Sequence, residues 1–178
     1  LTPNPMLPWG SRRAYPLPPM NIQKIEAEES DYLYTDTSQI QNAGSGLFTA
    51  IKLFKEEQIA VFEGELLSDD EAEKRALLKE DQYFISLLNG KTMDSKHTDC
   101  FAKYANDATG TQTVFKNNCI ITLNDEQQVC LVATKTIKAG EEIFCSYGKD
   151  YWGKHGGVWG RFLNRIIEFK QSKALLVF

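Results

Sequence analysis

The sequence predicts a single mainly β domain of the α+β class, and three observations carry that reading. Short apolar runs of strand length recur between clusters of turn-forming residues. A well-marked helix start stands at Ser68, and a helical periodicity appears near the C-terminal end. All six prolines fall within the first 19 residues, which sets an extended arm apart from the body. At 178 residues the chain suits one domain with a real core.

The elements follow in order. Residues 1–20 form the Pro-rich arm, and the body begins near Asn21. Gly44-Ser45-Gly46 reads as a turn, because paired glycines let the backbone bend sharply and approach a ligand closely. Gln58 to Glu63 is strand-like, centred on Ile59, Val61 and Phe62. Ser68-Asp69-Asp70-Glu71 has the spacing of a capping box: the serine caps free amides while the glutamate reaches back. Acidic residues in that first turn also suit the helix dipole, and the helix should run to about Lys79. Tyr83 to Leu88 reads as a strand and Asn89-Gly90 as a tight turn. Cys119 to Leu123 and Val129 to Thr134 flank Asn124-Asp125-Glu126-Gln127, a hairpin. Ile137-Lys138-Ala139-Gly140 turns into a strand from Glu142 to Ser146, closed by Tyr147-Gly148. Val158, Phe162, Ile166 and Phe169 recur at helical spacing, so an amphipathic helix is expected there.

Composition bounds the function. A net charge of −4 and a pI near 5.3 argue against a general nucleic-acid binder. No apolar run approaches the roughly 18 residues of a membrane span, and residues 1–20 lack the apolar stretch of a secretory signal. The four cysteines, Cys100, Cys119, Cys130 and Cys145, form no CxxC pair. With only His97 and His155 beside them, no metal site is expected. Cys119, Cys130 and Cys145 lie in apolar runs, where a free cysteine is usually a small core residue. All four are expected reduced, in an intracellular protein.

The turn Gly44-Ser45-Gly46-Leu47-Phe48 is followed by Val61-Phe62-Glu63-Gly64-Glu65-Leu66, and then by Glu71-Ala72-Glu73-Lys74-Arg75. Met93-Asp94-Ser95, Phe101 to Asp107, and Ile137 to Gly148 come next. These pieces, in this order from Gly44 to Trp152, resemble the SET-domain family of protein methyltransferases. The resemblance implies a SET fold of small curved sheets with a knot-like threading of the C-terminal segment. It places the domain over residues 21–152, with a post-SET-like helical segment over 153–178. It further implies S-adenosylmethionine as cofactor and methyl transfer to a lysine of a protein or peptide substrate, a histone among the candidates. Nucleus and cytoplasm are the implied compartments, or a host nucleus for a secreted effector.

The implied roles are carried over residue by residue. Ala43, Gly44, Ser45 and Gly46 would hold the methionine part of the cofactor through backbone groups. Asn106 matches the cofactor-binding asparagine, with Asp107 beside it. Tyr83 borders both cofactor and lysine channel, and Tyr147 stands beside the transferred methyl; these two are the catalytic candidates. Cys145 occupies the channel position that limits how many methyl groups are accepted. Trp159 matches an aromatic ring that covers the adenine. The family's N-H-S-C appears here as Asn106-Asp107-Ala108-Thr109, and the flanking cysteine-rich zinc modules of many relatives are absent from the sequence. Two other readings stand beside the enzyme: a SET-like peptide-binding module with weak catalysis, and an unrelated small β-rich domain.

Overall fold

The structure, a computed structural model, describes residues 21–87, 89–109 and 114–148. The N-terminal arm, the amphipathic segment and Trp159 lie outside the described residues. Among the described residues, ten short strands form three small sheets.

The largest sheet has the order β1-β4-β9-β8. β8 (Cys119–Leu123) and β9 (Val129–Ala133) form the expected hairpin. Its turn is closed by the Asn124 side chain, which accepts the Gln128 N–H at 2.8 Å, and by Gln127 at φ 62°. β9 is central and covered on both faces, so Cys130, Leu131, Val132 and Ala133 are all fully buried. β4 (Glu57–Val61) pairs antiparallel with β9 through a register shift between Gln58 and Ala60. β1 (Gln23–Lys24) adds a short parallel edge. The helical turn α1 (Glu29–Tyr32) pins itself to this sheet, because the buried Tyr32 hydroxyl donates to the Ile59 carbonyl at 2.9 Å.

The second sheet, β10-β3-β2, holds the turn read from the sequence. β2 (Leu33–Thr37) and β3 (Ser45–Thr49) are antiparallel. Gly44 has φ 78° and belongs to the turn, whereas Ser45 and Gly46 are already strand. β10 is Glu142–Ile143 and does not extend to Ser146 as expected. The reason is a change of partner. Phe144 and Cys145 leave β3 and make single parallel bridges to Asn106 and Cys119. The Asn118 side chain imitates a peptide unit at this crossing, donating to the Glu142 carbonyl at 2.8 Å and accepting the Phe144 N–H at 2.8 Å.

The third sheet, β5-β7-β6, is built from β5 (Glu65–Leu67), β7 (Thr92–Asp94) and β6 (Phe84–Ser86). A Cβ on Gly64 would lie 2.5 Å from the Asp94 carbonyl oxygen, so only glycine lets these segments meet. Tyr83 precedes β6 rather than lying inside it. Helix α2 (Asp69–Leu77) starts as expected, with the Glu71 N–H donating to Ser68 Oγ at 3.3 Å. The Glu71 carboxylate does not complete a capping box; it turns forward to Arg75 at 3.0 Å. Arg75 also reaches Glu65 at 2.8 Å and the buried Asp94 at 2.7 Å, so one guanidinium ties α2 to two strands. That matters because α2 buries no side chain of its own. The helix ends at Leu77, short of Lys79, which adopts φ 61°.

Candidate active site

The three sheets meet around a cavity of about 940 Å³. Its wall is formed by the turn at Ala43, Gly44 and Ser45, the approach to β6 at Asp81 to Ser86, the 3-10 turn Ala102–Tyr104 with Ala105 to Asp107, and the closing residues Ser146 to Gly148. Tyr83, Asn106, Asp107 and Tyr147, far apart in sequence, therefore share one hollow.

Each is held by nameable forces. The Tyr147 hydroxyl donates to the Ala105 carbonyl at 3.0 Å, and the Tyr147 backbone N–H donates to Asp107 Oδ2 at 2.8 Å. A phenol has one proton. With that proton on Ala105, the oxygen presents only lone pairs elsewhere, which suits it to receive an N–H. Tyr83 is 38% exposed and takes the Ser95 N–H on its carbonyl at 3.2 Å. Asn106 Nδ2 donates to the Ser45 carbonyl at 3.0 Å and to Glu142 Oε1 at 3.3 Å. Its side-chain nitrogen thus clamps the glycine turn to the crossing segment.

Glu142, which sequence reasoning passed over, is the anchor of that clamp. It is 1% exposed and accepts Ser38 Oγ at 2.7 Å and the Gln39 N–H at 2.7 Å besides Asn106. Gly46 does not line the cavity. A Cβ there would stand 2.2 Å from Glu142 Oε1, so the glycine makes room for the carboxylate. The signal was a glycine and a glutamate 96 positions apart (142 − 46), which a single sequence does not connect.

Cys145 is also not in the wall. Its side chain is fully buried, with the thiol donating to the Ala105 carbonyl at 3.5 Å and lying against Cys119. Burial and the neighbouring Cys145 push the Cys119 thiol well up, so Cys119 stays a neutral core group. Cys100 and Cys130 are buried as well, and all four thiols are free. Among the described residues no cluster of His, Cys, Asp and Glu is placed to hold a metal. No helix among them is long and apolar enough to cross a membrane.

The wall contains one further feature. The Ser95 hydroxyl is buried and has no hydrogen-bond partner among the described residues, yet the residue borders the cavity. Orphaned buried hydroxyls are rare, and this one is closed off from the cavity that other atoms of the residue border.

A family model described as the SET domain matches residues 44–148. The histone-lysine N-methyltransferase EZH2 of Chaetomium thermophilum is 32% identical over 124 residues, covering 64% of this chain and 8% of that protein. The histone-lysine N-methyltransferase mes-2 of Caenorhabditis elegans is 28% identical over 116 residues, covering 64% of this chain and 14% of that protein. Among solved structures, a humanized mutant of the Chaetomium thermophilum Polycomb Repressive Complex 2 bound to the inhibitor GSK126 superposes with a TM-score of 0.54. The identity is 29%, over 66% of this chain and 15% of that one. The chain therefore spans a small part of each relative. The matched span runs from the glycine turn through both tyrosines and the Asn106 clamp to the closing Tyr147-Gly148, and the chain belongs to the SET-domain family.

Proposed function

We propose that this domain is the catalytic core of an S-adenosylmethionine-dependent methyltransferase acting on lysine side chains of a protein, with histones as first candidates. The observation that carries the proposal is the single cavity shared by Tyr147, Tyr83, Asn106 and the Gly44-Ser45 turn. The residues present fit the cofactor. The hollow is large, and its wall mixes backbone groups with tyrosines. Ala43, Gly44 and Ser45, with Asp107 and the backbone beside it, would hold S-adenosylmethionine, and Asn106 would act by fixing the turn. Trp159 is a proposed cover for the adenine. When bound, the cofactor supplies a methyl group on a cationic sulfur.

The chain's own residues do the rest. A lysine amine is nucleophilic only when neutral, and with a reference pKa of about 10.4 neutrality at pH 7 costs about 4–5 kcal/mol. A channel with apolar walls disfavours the ammonium form and lowers that cost. The Tyr147 oxygen, with its proton on Ala105, receives an N–H of the incoming amine and orients it. Orientation is the larger effect, since near-attack alignment supplies roughly 7–11 kcal/mol. Tyr83 borders the same channel. Cys145, two places before Tyr147, is smaller than the ring that relatives usually carry there. More than one methyl should be accepted. The substrate is a peptide or protein with an accessible lysine, in the nucleus or cytoplasm, and no direct contact with nucleic acid or membrane is part of the reading.

The test is methyl transfer from labelled cofactor to histones and a peptide array, followed by mass spectrometry. Tyr147→Phe should fold and bind cofactor but transfer about 100-fold more slowly, the scale of a misaligned reaction geometry. Equal rates would remove Tyr147 from the mechanism. A SET-like peptide-binding module is the second reading, favoured by Asp107 where the family pattern carries histidine. Cofactor binding with no transfer to any substrate would select it.

A further inference from the structure

The proposed chemistry uses the backbone at Asp107 and gives its carboxylate no role. Asp107 is 3% exposed, and an acidic side chain is almost never so buried without partners. Three N–H donors converge on it. Oδ2 accepts the Tyr147 backbone N–H at 2.8 Å. Oδ1 accepts the Thr109 N–H at 2.7 Å and Asn117 Nδ2 at 3.0 Å. Asn117 in turn accepts the Ala108 N–H on its own oxygen at 2.9 Å, which fixes which end of its amide faces Asp107. All three donors are therefore committed in direction. Only a group that accepts at both atoms satisfies them. An asparagine would set an NH2 group against an N–H, and a neutral histidine ring accepts at only one nitrogen.

We infer that Asp107 is a positioning residue: its carboxylate holds the backbone of Tyr147 to the Ala105–Asp107 segment and thereby sets the phenol on the Ala105 carbonyl. The effect on rate rests on the methyl-transfer reading; the hold on Tyr147 does not. The geometry is a clamp with two jaws on one short stretch of chain. Ala105 takes the hydroxyl end of Tyr147 and Asp107 takes the amide end. Gly148 follows directly at φ 83°, and its permissive backbone restrains Tyr147 little from that side. The substitution for the family's histidine is therefore a change of tether.

The test combines Asp107→Asn, nearly isosteric, with Tyr147→Phe in a double-mutant cycle, alongside amide spectroscopy of the 15N-labelled protein. In the unmodified protein the Tyr147 amide should be shifted downfield and protected from exchange, a readout that requires no variant. Asp107→Asn should move that resonance upfield and speed its exchange by about tenfold or more, the effect of losing one charge-assisted bond. Single-turnover transfer should slow roughly 10–100-fold, as for a catalytic group displaced by a fraction of an ångström to an ångström. In the Tyr147→Phe background the same substitution should cost little further, because the phenol it positions is gone. An unprotected Tyr147 amide in the unmodified protein, or strictly additive effects on rate, would overturn the inference. An unmodified protein that neither binds cofactor nor transfers methyl would sink the methyl-transfer reading instead, and the amide measurement would still decide the role of Asp107.

Discussion

Gly46→Ala tests whether the foot of the site is built as described. The added Cβ would lie 2.2 Å from Glu142 Oε1, 2.7 Å from its Cδ and 3.2 Å from the Ser38 Cα. The first two distances are impossible, so the carboxylate must move, and the Ser38 backbone blocks retreat of the strand. Glu142 is 1% exposed. Its displacement strains or breaks the bonds to Ser38, Gln39 and Asn106. Overpacking costs about 1–3 kcal/mol and a lost bond to a buried charge about 1.5–3, so with partial relaxation we expect roughly 2–4 kcal/mol of destabilisation. For a domain of this size that lowers Tm by roughly 5–15 °C. Urea unfolding with an unchanged m-value is the assay. Glu142→Asp, one methylene shorter, should be destabilising alone yet cost less in the Gly46→Ala background, where it vacates the contested space. A Gly46→Ala protein within about 0.5 kcal/mol of the parent, or strict additivity of the pair, would refute the reasoning.

Three further outcomes follow from the surrounding geometry. Arg75→Ala should lower Tm and detach α2, which buries no side chain, while Arg75→Lys should recover only part, because three carboxylates at three angles require a planar fork; full recovery with lysine would contradict this. Glu29 is raised above its ordinary 4.5, chiefly by burial, opposed by the Val61 N–H and reinforced by Glu63 and Glu28. The folded state thus binds the proton more tightly than the unfolded chain, so this group's contribution is fully present below pH 4.5 and is lost as pH rises through the folded value. Glu29→Gln keeps an acceptor for Val61 and should become progressively more stable relative to the parent as pH rises; a pH-independent difference in Tm would be evidence against it. Ser68→Ala removes the bond to the Glu71 N–H and should cost about 1 kcal/mol, read as faster exchange of the first-turn amides of α2.

What the sequence disclosed and what it hid divide along the range of the interaction. The β8–β9 hairpin and the start of α2 were legible because Asn124, Gln127 and Ser68 act on neighbours within a few residues. Strands β5 and β7 have three residues each, too few to show a period, and are held by pairing and by Arg75. β2 has one buried residue followed by four exposed ones, so no alternation marks it. Tyr83, Asn106 and Tyr147 were singled out by the order of the motifs, and all three line one cavity. The roles of Gly46, Glu142 and Cys145 were not, because each is decided by contact across the crossing: Gly46 by a carboxylate, Glu142 by the turn it braces, and Cys145 by Cys119 and Ala105.

That crossing explains why the site and the stability of this domain should be hard to separate. Along Glu142 to Tyr147 the chain changes partner almost at every step. Glu142 braces Ser38, Gln39 and Asn106, and Ile143 pairs with Leu47. Phe144 stacks on Phe115, Cys145 donates its N–H to the Asn106 carbonyl, and Tyr147 rests on Ala105 and Asp107. In a regular ladder each residue repeats its neighbour's partner, so the loss of one contact is shared. Here the contacts are irregular and converge on few segments, with residues 105–107 receiving Glu142, Cys145 and Tyr147 alike. Because interiors are packed closely, a displacement at Glu142 is carried along five peptide bonds to Tyr147 rather than absorbed. Substitutions that loosen the crossing should therefore lower stability and disturb Tyr147 together, whereas those in α2 or at Glu29 should change stability and leave the Tyr147 amide where it was. A loosened crossing with an undisturbed Tyr147 amide would show that the two jaws at Ala105 and Asp107 suffice by themselves.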